Sequence, residues 1–511
     1  MIIKERIKIH MGKLLRLPLD YNYPTEIEKI KVCIPSSAIK DGTIAISFEF
    51  LDKYGFHISG QSAKLHLEVQ GGCAEYRKEI IITGDTDESV KEYCTLLDED
   101  TVYRIKAYDE ERGLTAISNP CKIAEPRYST FNLYFGDIHA HRYEIPSVKK
   151  ADPLLRSRGP ATVSEFYRYA RDVVSLDFAA LTDHDYSLTS EDWREMQEGA
   201  EYYNQAERFV TFLGYEWAWN FDIDAHRVIL YKSDKMPLLS SSWKGTNTPQ
   251  GLYNTFDKLS MGEDIISIPH HSARRVHKIW LNWDSLSNKY DRLFEVFSLW
   301  GSSEKRGEPF AIKNSNECNQ WVKPDGDYPP YEAAGHFAVD GLRKGFRFGF
   351  TGGSESHDGR AGYPVMHAHM PLNQLNFNYC GGLTGVWARR KTRDALWGSL
   401  WNRKTISTTG QRSIAYMEID GVPCGGSLET ESKCGTLRGF VHSCAPISSL
   451  MIVKNNLNWR EISTDGMDSN FLFDAIEFPE RGKTDWYYLR ITESDGNMVW
   501  TSPIWVSTSI E

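Results

Sequence analysis

The chain has 511 residues, 41% of them hydrophobic and 13% aromatic, enough apolar material for several cores. Its net charge of −10 argues against nucleic acid as a partner. No apolar run is long enough to span a membrane and the start, Met1-Ile2-Ile3-Lys4, lacks the hydrophobic region of a signal peptide, so a cytoplasmic protein is expected.

Residues 1–128 read as a β-sandwich. Leu65, Leu67 and Val69 alternate with Lys64, His66 and Glu68, the pattern of a half-buried strand. Tyr103, Ile105 and Ala107 repeat it before the turn Glu110-Glu111-Arg112-Gly113. Residues 129–412 alternate strand and helix. Thr162-Val163-Ser164-Glu165 is a capping box, and Phe166, Ala170, Val173 and Val174 follow at helical spacing. Apolar strands are expected at 178–181, 209–213, 228–231, 265–268, 293–299, 346–350 and 383–387, then a helix carrying Ala395, Leu396, Leu400 and Trp401. Such alternation predicts an α/β fold, a closed parallel barrel with its chemistry at the C-terminal strand ends. Residues 413–511 return to β, where Trp486–Ile491 and Met498–Trp500 flank a Ser494-Asp495-Gly496-Asn497 turn. The nine cysteines are scattered without a CxxC pair and read as free thiols in a reducing compartment.

The chemistry concentrates in the middle, where 11 of the 15 histidines lie between His139 and His369. His139 and His141 stand two apart at the end of the run Leu133-Tyr134-Phe135, so one strand can aim both at one metal ion. Asp137, on the same face, is expected to orient a ligand histidine. Asp183-His184, Glu216, His226, His270-His271, Glu295, Glu355 and His357 fall at or near other strand ends. A set this large implies two metal ions or three, among zinc, manganese and iron, in a hydrolytic arrangement. Glu295 reads either as an orienting residue or as a buried partner for an arginine. His367-Ala368-His369 falls in loop or edge structure and is set apart from the metal site, as are His277 and His336.

These stretches resemble the PHP (polymerase and histidinol phosphatase) superfamily of metal-dependent hydrolases, and within it the DUF3604 and carbaryl-hydrolase-like subgroup. The resemblance is carried by Tyr134–His141, Leu176–His184, Gly214–Trp217, Ala225-His226-Arg227, Pro269–Ser272, Gly353–Arg360, Gly381–Ala388 and Arg403–Gly410. It implies a distorted (β/α)7 barrel between the two β-sandwich domains. The metal ligands it implies are His139, His141, His184, Glu216, His226, His270 and His357, with Glu355 where relatives usually have Asp. His270 is preferred to His271, because relatives often carry Asn at the second position. Where many relatives have a further histidine stands Ser147, so a third ion would be held more weakly or would use Glu144.

The expected reaction is hydrolysis of an ester-type bond by a metal-bridged hydroxide, phosphoesters being favoured over aryl esters, carbamates or amides. Asp183 or Asp358 would carry the proton, and Arg360, Arg142 or Arg227 would grip an anion. Trp217, Trp219, Trp300 and Tyr363 would wall a pocket or pack in the core. The reading from a different class is a catalytically weak carbohydrate- or surface-binding protein, given the two flanking sandwiches.

Overall fold

Alternation with a period of two builds the N-terminal part. Strand Ala63–Gln70 buries Ala63, Leu65 and Leu67 and exposes Lys64 and Glu68. It pairs antiparallel with Val102–Asp109, Leu67 opposite Ala107. A second sheet joins Lys29–Cys33, Thr43–Leu51, Val90–Leu96 and Ala74–Tyr76. Ile46, Phe48, Leu65, Tyr103 and Ile105 belong to one shared core, which makes this part sandwich-like. Arg104 breaks the alternation, since it is buried at a position expected to face water. Its guanidinium reaches the Asp468 carboxylate at 3.0 and 2.9 Å and the Ser443 carbonyl at 2.9 Å, tying this sheet to the C-terminal strands. The computed structural model describes residues 26–53, 55, 57–58, 60–82, 90–123, 131–142, 162–218, 224–275, 280–307, 309–312, 332–357, 359–362 and 379–509.

The middle of the chain is carried, among the described residues, by the strands β1 (Asn132–Asp137), β2 (Phe178–Leu181), β3 (Val210–Trp217), β4 (Arg227–Tyr231), β5 (Ile265–Pro269), β6 (Leu293–Ser298), β7 (Gly349–Gly352), β8 (Leu383–Ala388) and β9 (Thr405–Thr408), with a two-residue strand, Gly301–Ser302, beside β6. β1, β2 and β3 are parallel. β4 runs antiparallel to both β3 and β5. Only residues 218–226 separate β3 from β4, fewer than a parallel crossover needs, so the chain doubles back. β5 then runs with β1–β3 again. β8 lies antiparallel to β1 and β9, and β6 and β7 form a separate parallel pair. The all-parallel pairing expected from the sequence therefore does not hold: the short connection after β3 forces a reversal at β4, and β8 is reversed as well.

Helices are few and short. Among the described residues the α-helices are α1 (Val163–Arg168), α2 (Ser190–Tyr202), α3 (Pro249–Lys258), α4 (Ala338–Arg343) and α5 (Arg393–Trp401). The Thr162–Glu165 capping box forms in both directions, as expected. The helix then widens into a π turn over Tyr169–Val173, still burying Ala170 and Val174. No helix among the described residues is long and apolar enough to cross a membrane.

β9 pairs with Met498–Thr501, so the central sheet continues into Thr484–Glu493 and Ile447–Lys454. The expected hairpin is present, with Arg490 opposite Trp500. Glu304 fastens this junction from the middle of the chain. Its buried carboxylate accepts from Arg490, from the Tyr488 hydroxyl at 2.5 Å and from Trp500 Nε1 at 2.7 Å. All described cysteines are free thiols, and Cys318 lies outside the described residues.

Candidate metal centre

Main-chain hydrogen bonds bring the histidine-bearing strand ends together. Glu355 N donates to the His139 carbonyl and His141 N to the Ser356 carbonyl, each at 2.7 Å. Thr182 N reaches the Ala140 carbonyl at 2.9 Å, and Glu216 N the Asp183 carbonyl at 3.1 Å. His270 N reaches the His226 carbonyl, also at 3.1 Å. His139, His141, His184 and His270 follow their strands, whereas His226 precedes β4. The reversal of β4 explains this, since its N-terminal end lies beside the C-terminal ends of its neighbours.

Glu216 sits at the centre of the cluster. Its Oε2 lies 3.0 Å from His141 Nε2, 3.2 Å from His184 Nε2 and 3.6 Å from His139 Nε2. Its Oε1 lies 2.7 Å from His226 Nδ1 and 3.1 Å from His270 Nε2. Around it, groups of three or four donor atoms fall within 4.8 Å of one another: Glu216, His226, His270 and His271; His141, His184 and His357; His139, His141 and Glu216; His139, His270 and Glu355.

A second carboxylate flanks the first. Glu355 Oε1 lies 2.8 Å from His271 Nε2 and accepts from Trp300 Nε1 at 2.7 Å, while Ser298 Oγ donates to Oε2 at 2.9 Å. His271 and Glu355 both hold a left-handed backbone, each with φ of 50°, a conformation costly for side chains with a Cβ and concentrated at functional sites. Glu295 Oε2 meets His139 Nδ1 at 2.8 Å, leaving Nε2 facing Glu216. Gly353 is what lets this pair approach: a Cβ there would stand 2.6 Å from His139 Cβ and closer still to Glu295 Oε2. The His184 side chain is 20% exposed and His357 is half-buried, so the cluster opens on their side.

The donor set fits divalent cations. Burial pushes His184 down to about 3 and holds His270 and His271 well below the ordinary imidazole value, keeping them in the neutral form that binds metal. Burial would raise Glu216, but His184, His270, His139 and His141 outweigh it and hold the carboxylate charged. At His139 burial opposes the charge, yet Glu295 and Glu216 prevail and raise its proton affinity. Glu216 Oε2, His139 Nε2, both ring nitrogens of His141 and His270 Nδ1 are buried without a hydrogen-bond partner. His141 Nε2 is close to Glu216 yet misaligned for a bond. Each such orphan costs about 1–3 kcal/mol, so several converging on one point fit shared cations rather than mutual hydrogen bonds.

A family model described as a protein of unknown function (DUF3604) matches residues 143–346, which include His184, Glu216, His226, His270 and His271. The chain is 25% identical over 507 residues to an uncharacterized protein of Chlamydia trachomatis serovar D, covering 94% of this chain and 74% of that one. It is 24% identical over 503 residues to an uncharacterized protein of Chlamydia pneumoniae, with the same coverage of 94% and 74%. Among solved structures it is similar to a two-domain protein from Bacteroides vulgatus containing a predicted PHP-like metal-dependent phosphoesterase. That likeness has 14% identity and a TM-score of 0.34, over 73% of this chain and 96% of that one.

The structure thus brings together His139, His141, His184, Glu216, His226, His270, Glu355 and His357. It adds His271, which sequence reasoning set aside in favour of its neighbour; both rings face the cluster, 4.4 Å apart. Asp137 does not meet an imidazole. Its carboxylate accepts from the main-chain nitrogens of His139, Ser354 and Gly362 at 3.1, 3.1 and 2.7 Å, pinning the HxH segment to the loop that carries Glu355. Asp183 accepts from Arg142 N at 2.7 Å and Nε at 2.6 Å, and Arg142 Nη1 reaches Glu195 at 3.1 Å. Arg227 is wholly buried and bonded to Tyr253, the Ala225 carbonyl and Ser285, so it grips no external anion. Trp217 packs in the core and donates to the Thr246 carbonyl at 2.9 Å. Arg360 is buried in the loop beyond His357. His336 lies outside the cluster, with Nδ1 against the Leu281 carbonyl at 2.6 Å. Asp358, Glu144, Ser147, Trp219, His277, Tyr363, His367 and His369 lie outside the described residues. Sequence reasoning also passed over Arg274, whose guanidinium stacks 3.7 Å above the Trp300 ring beside Glu355 and His271. Its only signal was its place shortly after the His270-His271 pair.

Proposed function

We propose that the protein is a metal-dependent hydrolase of the PHP type that cleaves an ester bond of a small molecule, a phosphoester before other esters. The observation that carries this is Glu216, one buried carboxylate turned with Oε2 towards His139, His141 and His184 and with Oε1 towards His226 and His270. A carboxylate shared between two groups of imidazoles suits two divalent cations, zinc, manganese or iron, with His357, His271 and Glu355 able to extend the set to a third. Bound there, the cations would polarise the scissile bond and acidify water. The strands bearing these residues are read as a distorted PHP-type barrel of mixed strand direction.

The chain's own residues do the rest. Glu295 fixes the His139 ring, and Asp137 clamps the segment that carries it. Arg142 Nη2 is buried without a hydrogen-bond partner next to His141, a donor suited to an anionic oxygen. Arg274 on Trp300 adds positive charge at the opposite flank, and Arg360, three residues after His357, would contact substrate. Trp217 is consumed by the core, which weakens the case for an aromatic pocket and favours phosphoesters over aryl carbamates.

Metal analysis of the purified protein is the first test. Protein that stays free of transition metal after incubation with zinc or manganese would sink the proposal. With metal present, p-nitrophenyl phosphate, a phosphodiester, an acetate and an aryl carbamate separate the substrate classes. Glu216→Ala should abolish turnover of the preferred one.

A further inference from the structure

A second cluster of charge lies at the other end of the central sheet. Asp177 precedes β2 and Arg208 precedes β3, whereas the histidine cluster follows those strands. Lys391 lies just beyond β8, which runs antiparallel to β1, so it falls at the same end as Asp177 and Arg208. From Asp177 to His184 the chain advances on the order of 20 Å. Facing these residues is the outer surface of the N-terminal sandwich. Ile44, Ile46 and Phe48 point into its core, so Ala45 and Ser47 point outward, and Lys91 stands opposite Ser47 in the ladder. Between the two walls is a cleft of about 150 Å³.

Its lining is cationic in a chain whose net charge is −10: Lys91, Arg171, Arg208, Lys391 and Arg412 against the single carboxylate of Asp177. Three of the cations are already engaged. Lys391 Nζ holds Asp177 at 2.6 Å. Arg171 forks onto Asp172 at 2.8 and 2.7 Å. Arg412 donates to the carbonyls of Ser175 and Val174 at 2.9 and 2.7 Å. Lys91 and Arg208 have no carboxylate partner among the described residues; Arg208 reaches only the Gln205 amide oxygen, at 3.2 Å. They come from opposite walls, one on the sandwich and one on the central sheet. Two cations without a carboxylate partner among the described residues repel each other across a narrow cleft, and an anion between them would relieve this. Ser175, also in the lining, takes a left-handed backbone with φ of 58°, so the wall is shaped at some conformational cost.

We propose that this cleft binds a phosphoryl dianion, either inorganic phosphate or the phosphate group of a small metabolite, as a site distinct from the histidine cluster. A bound dianion would bridge Lys91 and Arg208 and fasten the N-terminal sandwich to the central sheet.

The test is calorimetric titration of inorganic phosphate into the full chain, stripped of metal by a chelator and held at constant ionic strength. Stripping removes metal-held phosphate at the histidine cluster, and the Lys91 and Arg208 variants separate the cleft from whatever binding remains there. Saturable binding is expected, weakened at least tenfold in a Lys91→Gln, Arg208→Gln protein and restored by Lys91→Arg, Arg208→Lys. Both residues are exposed, so the variants should fold, which circular dichroism checks. The same titration with glucose 6-phosphate and with glucose separates the two sources: tighter binding of the sugar phosphate points to a metabolite, equal binding to phosphate itself. Three outcomes would overturn the proposal: no saturation in the stripped protein, unchanged binding in the glutamine variant, or equal displacement by chloride at matched ionic strength.

Discussion

Glu295 offers the sharpest test of how the histidine cluster is held for the proposed metal. Its Oε2 accepts from His139 Nδ1 at 2.8 Å, and both side chains are buried. Glu295→Ala removes that acceptor, frees the ring to turn and leaves a buried nitrogen unpaired. Removing such an orienting partner typically weakens metal binding 10–100-fold, about 1.4–2.7 kcal/mol. Glu295→Gln keeps an acceptor oxygen at nearly the same place and loses only the charge, so its effect should fall at the low end of that range or below it. Proton affinity should shift as well. Burial works against a charged His139, and Glu295 is the main group that overcomes it. Without Glu295 a proton competes less with the metal, so metal affinity should climb less steeply as pH rises through neutrality than it does in the wild type. Calorimetric titration of zinc into chelator-stripped protein at several pH values measures both effects. An alanine variant that binds zinc as tightly as the wild type, with the same pH slope, would refute the assigned role.

Gly353→Ala should displace Glu295 or His139, because the added Cβ would stand 2.6 Å from His139 Cβ; reduced metal content in a protein with unchanged circular dichroism is the expected result. Glu304→Ala leaves the buried Arg490 without its carboxylate and should cost about 3–5 kcal/mol, seen as a lower midpoint of thermal unfolding; an unchanged midpoint would argue against this junction as a structural tie. Burial pushes the Glu493 carboxyl up to about 7, from an ordinary value of 4.5. Its folded-state pKa is the higher one, so its contribution is fully present below about 4.5 and is lost as pH rises through about 7. By linkage the span corresponds to roughly 3 kcal/mol. Glu493→Gln should flatten the pH dependence of denaturant unfolding over that window, and an unchanged slope would count against the assignment.

Much of the site was legible in the chain because metal ligation imposes strict local rules. Ligands must be imidazole or carboxylate, and they must sit where strands end. His139 and His141, two apart after an apolar run, satisfy both conditions, and so do His184 after β2 and Glu216 near the end of β3. The strand positions were also readable, since runs such as Ile265–Pro269 are apolar on both faces. Strand direction was not. Reversal at β4 depends on how few residues separate it from β3 and on which neighbour accepts its hydrogen bonds, and periodicity encodes neither.

Side-chain partners at long range were decided only by the fold. Asp137 looked from its spacing like a partner for a histidine, yet it binds amides from a loop more than 200 residues away, because the chain returns there. Arg142, Arg227 and Arg274 are equivalent as letters. Tertiary packing buries Arg227 in an internal network, divides Arg142 between Asp183 and Glu195, and stacks Arg274 on Trp300 beside the cluster. The same holds for the choice between His270 and His271: the left-handed backbone at His271 turns its ring inward beside its neighbour, so both face the carboxylates. The sequence by itself determined which residue types are available and where strands place them. The tertiary structure decided which of them share a carboxylate, because distances across the sheet are set by strand order and direction rather than by spacing along the chain.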